Sequence, residues 1–117
     1  GARLGVRVIT ENFGRLGEDA ASLVKIVRTS ELGLCADFGN FSGPSKHADL
    51  AAVFPFAASA HVKALPANGG IDRAELRRGL DLARAARFAG PFSLIHEGPG
   101  DPWPALAVLA SEVEPYL

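Results

Sequence analysis

The sequence predicts an α/β fold of four consecutive βα units with parallel strands. Short apolar or β-branched runs alternate along the 117 residues with segments of helical spacing. Every strand-to-strand connection holds a helix, the kind of crossover that parallel strands require. The runs are apolar at consecutive positions rather than alternate ones, as in a sheet covered by helices or closed into a barrel.

Taken in order, Val6-Arg7-Val8-Ile9-Thr10 reads as a strand ending at Glu11, broken by Gly14 and Gly17. Glu18 to Arg28 has helical spacing, with Ala20, Leu23, Val24 and Val27 on one face. Acidic Glu18 and Asp19 open it and Lys25 and Arg28 close it, which suits the helix dipole. Leu32 to Ala36 is a second strand, ending at Asp37, and a polar loop over Ser42 to Ser45 precedes a short helix from Lys46 to Val53 that Pro55 stops. Ala58 to Val62 is a third strand, and Pro66 to Gly70 reads as a loop. Asp72-Arg73-Ala74-Glu75 resembles a capping box, and Leu76, Leu80 and Ala83 follow at helical spacing. Phe92 to His96 is a fourth strand, ending at Glu97. Asp101-Pro102 is an N-cap with proline at the first helical position, and Leu106, Leu109 and Val113 stripe the last helix.

Composition bounds the function. Hydrophobic residues make up 48% of the chain, enough for a packed core. Twelve basic and 13 acidic residues give a formal net charge of -1, so no basic footprint for nucleic acid or a membrane surface is expected. No apolar run approaches the roughly 20 residues of a membrane span. Cys35 is the single cysteine, which excludes an intrachain disulfide and fits a reducing, cytoplasmic setting. The whole chain, 1–117, reads as one segment.

The polar residues carry the chemistry. Glu11, Asp37, His61 and Glu97 each fall at the C-terminal end of a different predicted strand. Strand side chains alternate between faces. With Glu11 inward, Arg7 and Ile9 share its face, Cys35 accompanies Asp37, Ser59 and Lys63 accompany His61, and Ser93 and Ile95 accompany Glu97. Val6, Val8 and Thr10 then face the helices. Three carboxylates and an imidazole on one surface repel unless a cation neutralises them. Oxygen-rich ligation with one nitrogen suits Mn²⁺, Mg²⁺ or Co²⁺, with Zn²⁺ also open.

Glu11-Asn12-Phe13-Gly14, Asp37-Phe38-Gly39-Asn40, His61-Val62-Lys63 and a Gly-Pro turn before a strand ending in Glu97-Gly98, in that order, resemble the second half of the xylose-isomerase-like TIM barrel superfamily, the sugar phosphate isomerases and epimerases. The resemblance covers nearly the whole chain. It implies that the chain supplies strands five to eight of a (β/α)8 barrel, and that Glu11, Asp37, His61 and Glu97 hold one divalent metal. It further implies that Glu11 and Glu97 act as an acid/base pair, moving a proton at a carbon next to a carbonyl of a sugar or sugar phosphate through a metal-bound enediolate. Asn12, Asn40, Lys63 and Trp103 are the candidate substrate contacts. Three positions depart from the ketose 3-epimerase pattern: Asn40 stands where a His is expected, Gly17 where a Glu is, and Ala67 where an Arg is. The metal ligands are kept and the hexose-binding shell is not.

Four strands are half of such a barrel, which takes about 250 residues, and an open parallel sheet leaves two unpaired edges. The expectation is self-association or a missing N-terminal half-barrel. The alternative function is a non-catalytic metal- or sugar-binding fragment. Of the remaining candidates, His96 should point away from Glu97, His47 sits on a short exposed helix, Cys35 reads as a buried small hydrophobe, and Gly69-Gly70 as a turn. Trp103 either walls the pocket mouth or anchors the last helix.

Overall fold

The computed structural model describes residues 1–63, 66–67 and 70–117. Its main sheet holds β1 (Ile9–Glu11), β2 (Gly33–Asp37), β3 (Ala57–Lys63) and β6 (Phe92–Ile95), all parallel and in that spatial order. A two-residue ribbon, β4 (Pro66–Ala67) against antiparallel β5 (Gly70–Ile71), occupies part of the segment predicted as a loop; Asn68 and Gly69 lie outside the described residues. Between the strands run α1 (Gly14–Gly17), α2 (Ala20–Thr29), α3 (Lys46–Val53), α4 (Arg73–Ala85) and α5 (Pro102–Val113). The structure therefore has the α/β architecture and parallel order of the predicted βα units. Among the described residues, no helix is long and apolar enough to cross a membrane.

The helix starts follow their caps. Asp19 accepts from the Ser22 N–H, Asp72 from the Glu75 N–H and Asp101 from the Trp103 N–H, each satisfying a donor that has no partner within the helix. α4 and α5 begin one residue after Asp72 and Asp101, as the sequence pattern required.

Alternation along the strands splits the sheet into two faces. Leu34 and Ala36 of β2, Ala60 and Val62 of β3, and Phe92 and Leu94 of β6 pack with Leu23, Leu50, Leu76, Leu80 and Leu109 from the helices in one hydrophobic core. Each fully buried leucine contributes about 1.5–3 kcal/mol. Phe38, Phe54, Phe88 and Phe92 pack in a row through this core, edge-on at its two ends and tilted between Phe54 and Phe88, with successive ring centroids 5.8, 5.7 and 5.1 Å apart. The other face carries the alternate residues in matched rows. Glu11 pairs with Cys35 and Cys35 with Ser59; Asp37 pairs with His61 and His61 with Ser93; Lys63 pairs with Ile95.

The first strand is shorter than Val6–Thr10. Residues Ala2–Leu4 form a single 3-10 turn, and the Val6 N–H is spent on the Gly1 carbonyl rather than on the sheet. Pairing starts where the Gly33 N–H meets the Val8 carbonyl. Val6 and Val8, expected against the helices, are exposed together with Leu4, Ile9, Phe13 and Leu16, so the β1 margin is apolar and open. Gly14 and Gly17, expected only to break the strand, lie in α1. A Cβ at Gly17 would stand 3.0 Å from the Glu11 carbonyl oxygen, a tight contact that any side chain there would have to relieve by a small backbone shift.

Candidate metal centre

β1, β2 and β3 end in a stagger of two residues per strand, and Glu11, Asp37 and His61 converge near those ends. The Nδ1 atom of His61 lies 3.5 Å from Glu11 Oε1 and 3.5 Å from Asp37 Oδ2. One ligand atom from each of Glu11, Asp37 and His61 falls within 4.8 Å of the others. Glu11 and His61 are half-buried, whereas the Asp37 side chain is fully buried.

Asp37 is held in place on three sides. Asn12, the residue after Glu11, donates from Nδ2 to the Asp37 carbonyl at 3.0 Å and accepts at Oδ1 from the Asp37 N–H at 2.7 Å. This side chain continues the β1–β2 ladder one rung past Glu11. The Asp37 Oδ1 accepts from the Gly39 N–H at 2.8 Å, and the Phe38 N–H bonds the His61 carbonyl, locking β2 to β3 just beyond the site. Oδ2 is different. It is buried without a hydrogen bond of regular geometry and faces the Lys63 ammonium, 3.1 Å away, as an ion pair. Burial pushes the Asp37 carboxyl above its ordinary value, against the opposing pull of the Gly39 N–H and Lys63, and the Glu11 charge adds to the rise.

Lys63 organises the rest. Its ammonium reaches Asp37, donates to Asn40 Oδ1 at 3.2 Å and meets Glu97 Oε1 at 2.7 Å. Burial lowers its proton affinity, but Glu97 and Asp37 outweigh that and hold Lys63 above the ordinary lysine value. Asn40 in turn donates from Nδ2 to Glu11 Oε1 at 2.8 Å. The chain Glu11–Asn40–Lys63–Glu97 thus runs beside the three-group cluster.

Three of the four expected metal ligands are brought together. Glu97 stands outside that cluster: it follows the end of β6, its side chain is 66% exposed, and it reaches Asp37 only through Lys63. Asn12, expected as a substrate contact, lies 1% exposed with both ends of its amide bonded to the Asp37 backbone, a buried support for Asp37. Trp103 is neither pocket wall nor anchor. It sits in the first turn of α5 and is 73% exposed. Asn40 and Lys63 remain at the site. His96 is half-buried, and its Nε2 has no hydrogen-bond partner. His47 is half-buried rather than exposed, held by Glu75, which also pairs with Lys46 at 2.6 Å. Cys35 is buried, and burial raises its thiol pKa.

The supporting role of Asn12 was the residue-level feature that sequence reasoning missed; its signal was only an amide directly after a strand-end ligand. Buried Oδ2, the half-buried carboxylate beside it and the imidazole nitrogen facing both form a donor set suited to a hard or borderline divalent cation. Neither a protein-family model nor a curated protein matches this chain.

Proposed function

We propose that this chain is a divalent-cation-dependent isomerase or epimerase, and that its four βα units form half of a TIM barrel. The observation that carries the reading is the meeting of Glu11, Asp37 and His61 at the C-terminal ends of three adjacent parallel strands, with a buried carboxylate oxygen left without a hydrogen bond. In barrels of this kind, ligands bind at that end of the strands. Glu11, Asp37 and His61 would hold Mn²⁺, Mg²⁺, Co²⁺ or Zn²⁺. Such a cation supplies positive charge for substrate oxygens that become negative as a neighbouring C–H proton leaves.

The protein's own groups do the proton work. In this reading the substrate is an α-hydroxycarbonyl compound, a sugar or sugar phosphate by the resemblance. One carboxylate, Glu11 or Glu97, takes the C–H proton and leaves an enediolate; a carboxylic acid on the opposite face returns a proton to the same carbon or to its neighbour. No net proton is gained or lost. Lys63, between Asp37 and Glu97, offers a fixed positive charge to a substrate oxygen. The exposed apolar margin around β1 favours closure by further βα units, in the same polypeptide or in a second copy.

A second reading is a binding module without turnover. It is favoured by the exposure of Glu97 and its pairing with Lys63, which leave only one of the two proposed acid/base groups in the cluster. Thermal melting with Mn²⁺ tests the shared premise: at a hundredfold excess over Kd the cation should add about 2.7 kcal/mol of stability, and Glu11→Gln should remove the gain. No Mn²⁺-dependent shift refutes both readings. Deuterium uptake at the α-carbon of a bound hydroxyketone then separates them, since only the enzyme exchanges it.

A further inference from the structure

A cavity of about 960 Å³ opens beside the cation cluster, between the ends of β3 and β6 and the facing starts of α4 and α5. Small-molecule sites run to about 1,000 Å³. Gly39, Lys63 and Glu97 lie on its wall, and Lys63 stands 3.1 Å from Asp37 Oδ2, so the cavity begins one side chain from the cluster.

Its remaining wall is of a different character. Ile71, Ile95, Pro104, Ala105, Val108 and Leu109 all face it. The charged groups on it balance, Lys63 and Arg73 against Glu97 and Asp101, and His96 adds an imidazole whose buried Nε2 has no hydrogen-bond partner. Both cations are already paired, Lys63 with Asp37 and Glu97, and Arg73 with Glu112. Among the described residues, no lysine or arginine on this wall lacks a carboxylate partner. A phosphate entering here would meet two carboxylates beside cations that already carry carboxylate partners, and the hydroxyls of a polyol chain lying along α5 would face apolar side chains.

We infer that the substrate of this site is an uncharged α-hydroxycarbonyl compound with an apolar alkyl or aryl body, seated with its two oxygens at the Lys63 end of the cavity and its body against Ile71, Ala105, Val108 and Leu109. This rests on the isomerase or epimerase reading and narrows its substrate class.

The test uses the full chain and three probes, α-hydroxyacetophenone, ribulose and ribulose phosphate, titrated by ligand-observed NMR with and without Mn²⁺. α-Hydroxyacetophenone should bind at least about tenfold more tightly than ribulose, with ribulose phosphate no better than ribulose. Val108→Thr, which keeps the side-chain shape, should weaken α-hydroxyacetophenone by roughly tenfold while leaving thermal melting unchanged. Ala105→Leu, which narrows the cavity, should weaken it independently. Tighter binding of ribulose phosphate, no binding of any probe, or indifference to both variants overturns the inference. Electron paramagnetic resonance of Mn²⁺ in the same samples reports on the cation reading alone. Ketone binding without Mn²⁺ binding overturns the cation centre and supports the cavity assignment; Mn²⁺ binding with a preference for ribulose phosphate does the reverse.

Discussion

Asp37 at the end of β2 and Glu112 on α5 are both buried carboxylates, and the protein treats them in opposite ways. Glu112 is fully answered. Arg77 donates to it from Nε at 2.6 Å and from Nη2 at 3.1 Å, and Arg73 adds a third contact across α4. The Arg77 contact, working against burial and joined by Arg73, holds the Glu112 carboxyl below the ordinary carboxylate value. Asp37 keeps one oxygen without a hydrogen bond of regular geometry, and burial holds its carboxyl above the ordinary value. The first is an ion network that ties two helices together. The second keeps a carboxylate whose charged form burial disfavours, on the face where Glu11 and His61 converge.

Removing the support under Asp37 should give the largest effect. Asn12→Ala deletes two buried hydrogen bonds and leaves the Asp37 N–H and carbonyl without partners. The cost should be about 2–4 kcal/mol of unfolding free energy in urea, with a weaker Mn²⁺-dependent gain in melting temperature. An exposed, substrate-contacting Asn12 would instead leave stability unchanged, and that result would break the comparison at its root.

This residue also shows where sequence reading stops. Alternation and strand ends placed Glu11, Asp37 and His61 on one face, because β periodicity fixes facing once a strand is found. Cap chemistry placed α4 and α5 to the residue, since Asp72 and Asp101 state their role locally. The role of Asn12 was not legible: an amide after a strand can face a ligand or a neighbouring backbone, and only the distance to Asp37, 25 residues away, decides. The position of Glu97 failed for a related reason. β6 ends at Ile95, two residues before it, so strand periodicity no longer governs where its carboxylate goes. Val6 and Val8 misled because β-branched residues favour a strand only where a partner strand reaches them.

The Glu112 network sharpens the comparison through pH. Its carboxyl is depressed in the folded state, so the stability it contributes is complete above the ordinary value of 4.5 and is lost as pH falls below that through the folded value. Glu112→Gln should cost about 1–2 kcal/mol at pH 7 and flatten this acid limb in urea melts taken between about pH 5 and pH 2. An unchanged acid limb in the variant would show that the arginines are not what holds Glu112.

Asp37→Asn should have the smallest effect on stability and the opposite sign. The folded carboxyl is raised, so its linkage runs the other way: the folded state gains stability as pH falls through the folded value toward the ordinary 3.8, and loses it as pH rises. At neutral pH the charged form is the unfavourable one. With chelator present, a neutral amide keeps the acceptor for the Gly39 N–H, leaves Lys63 with Glu97 and Asn40, and removes the buried charge. The variant should then be as stable as the parent or more stable by up to about 1 kcal/mol, while losing the Mn²⁺-dependent gain. A loss as large as that expected for a fully bonded buried carboxylate would place Asp37 in the same class as Glu112, and the case for a cation at the ends of β1, β2 and β3 would fall with it.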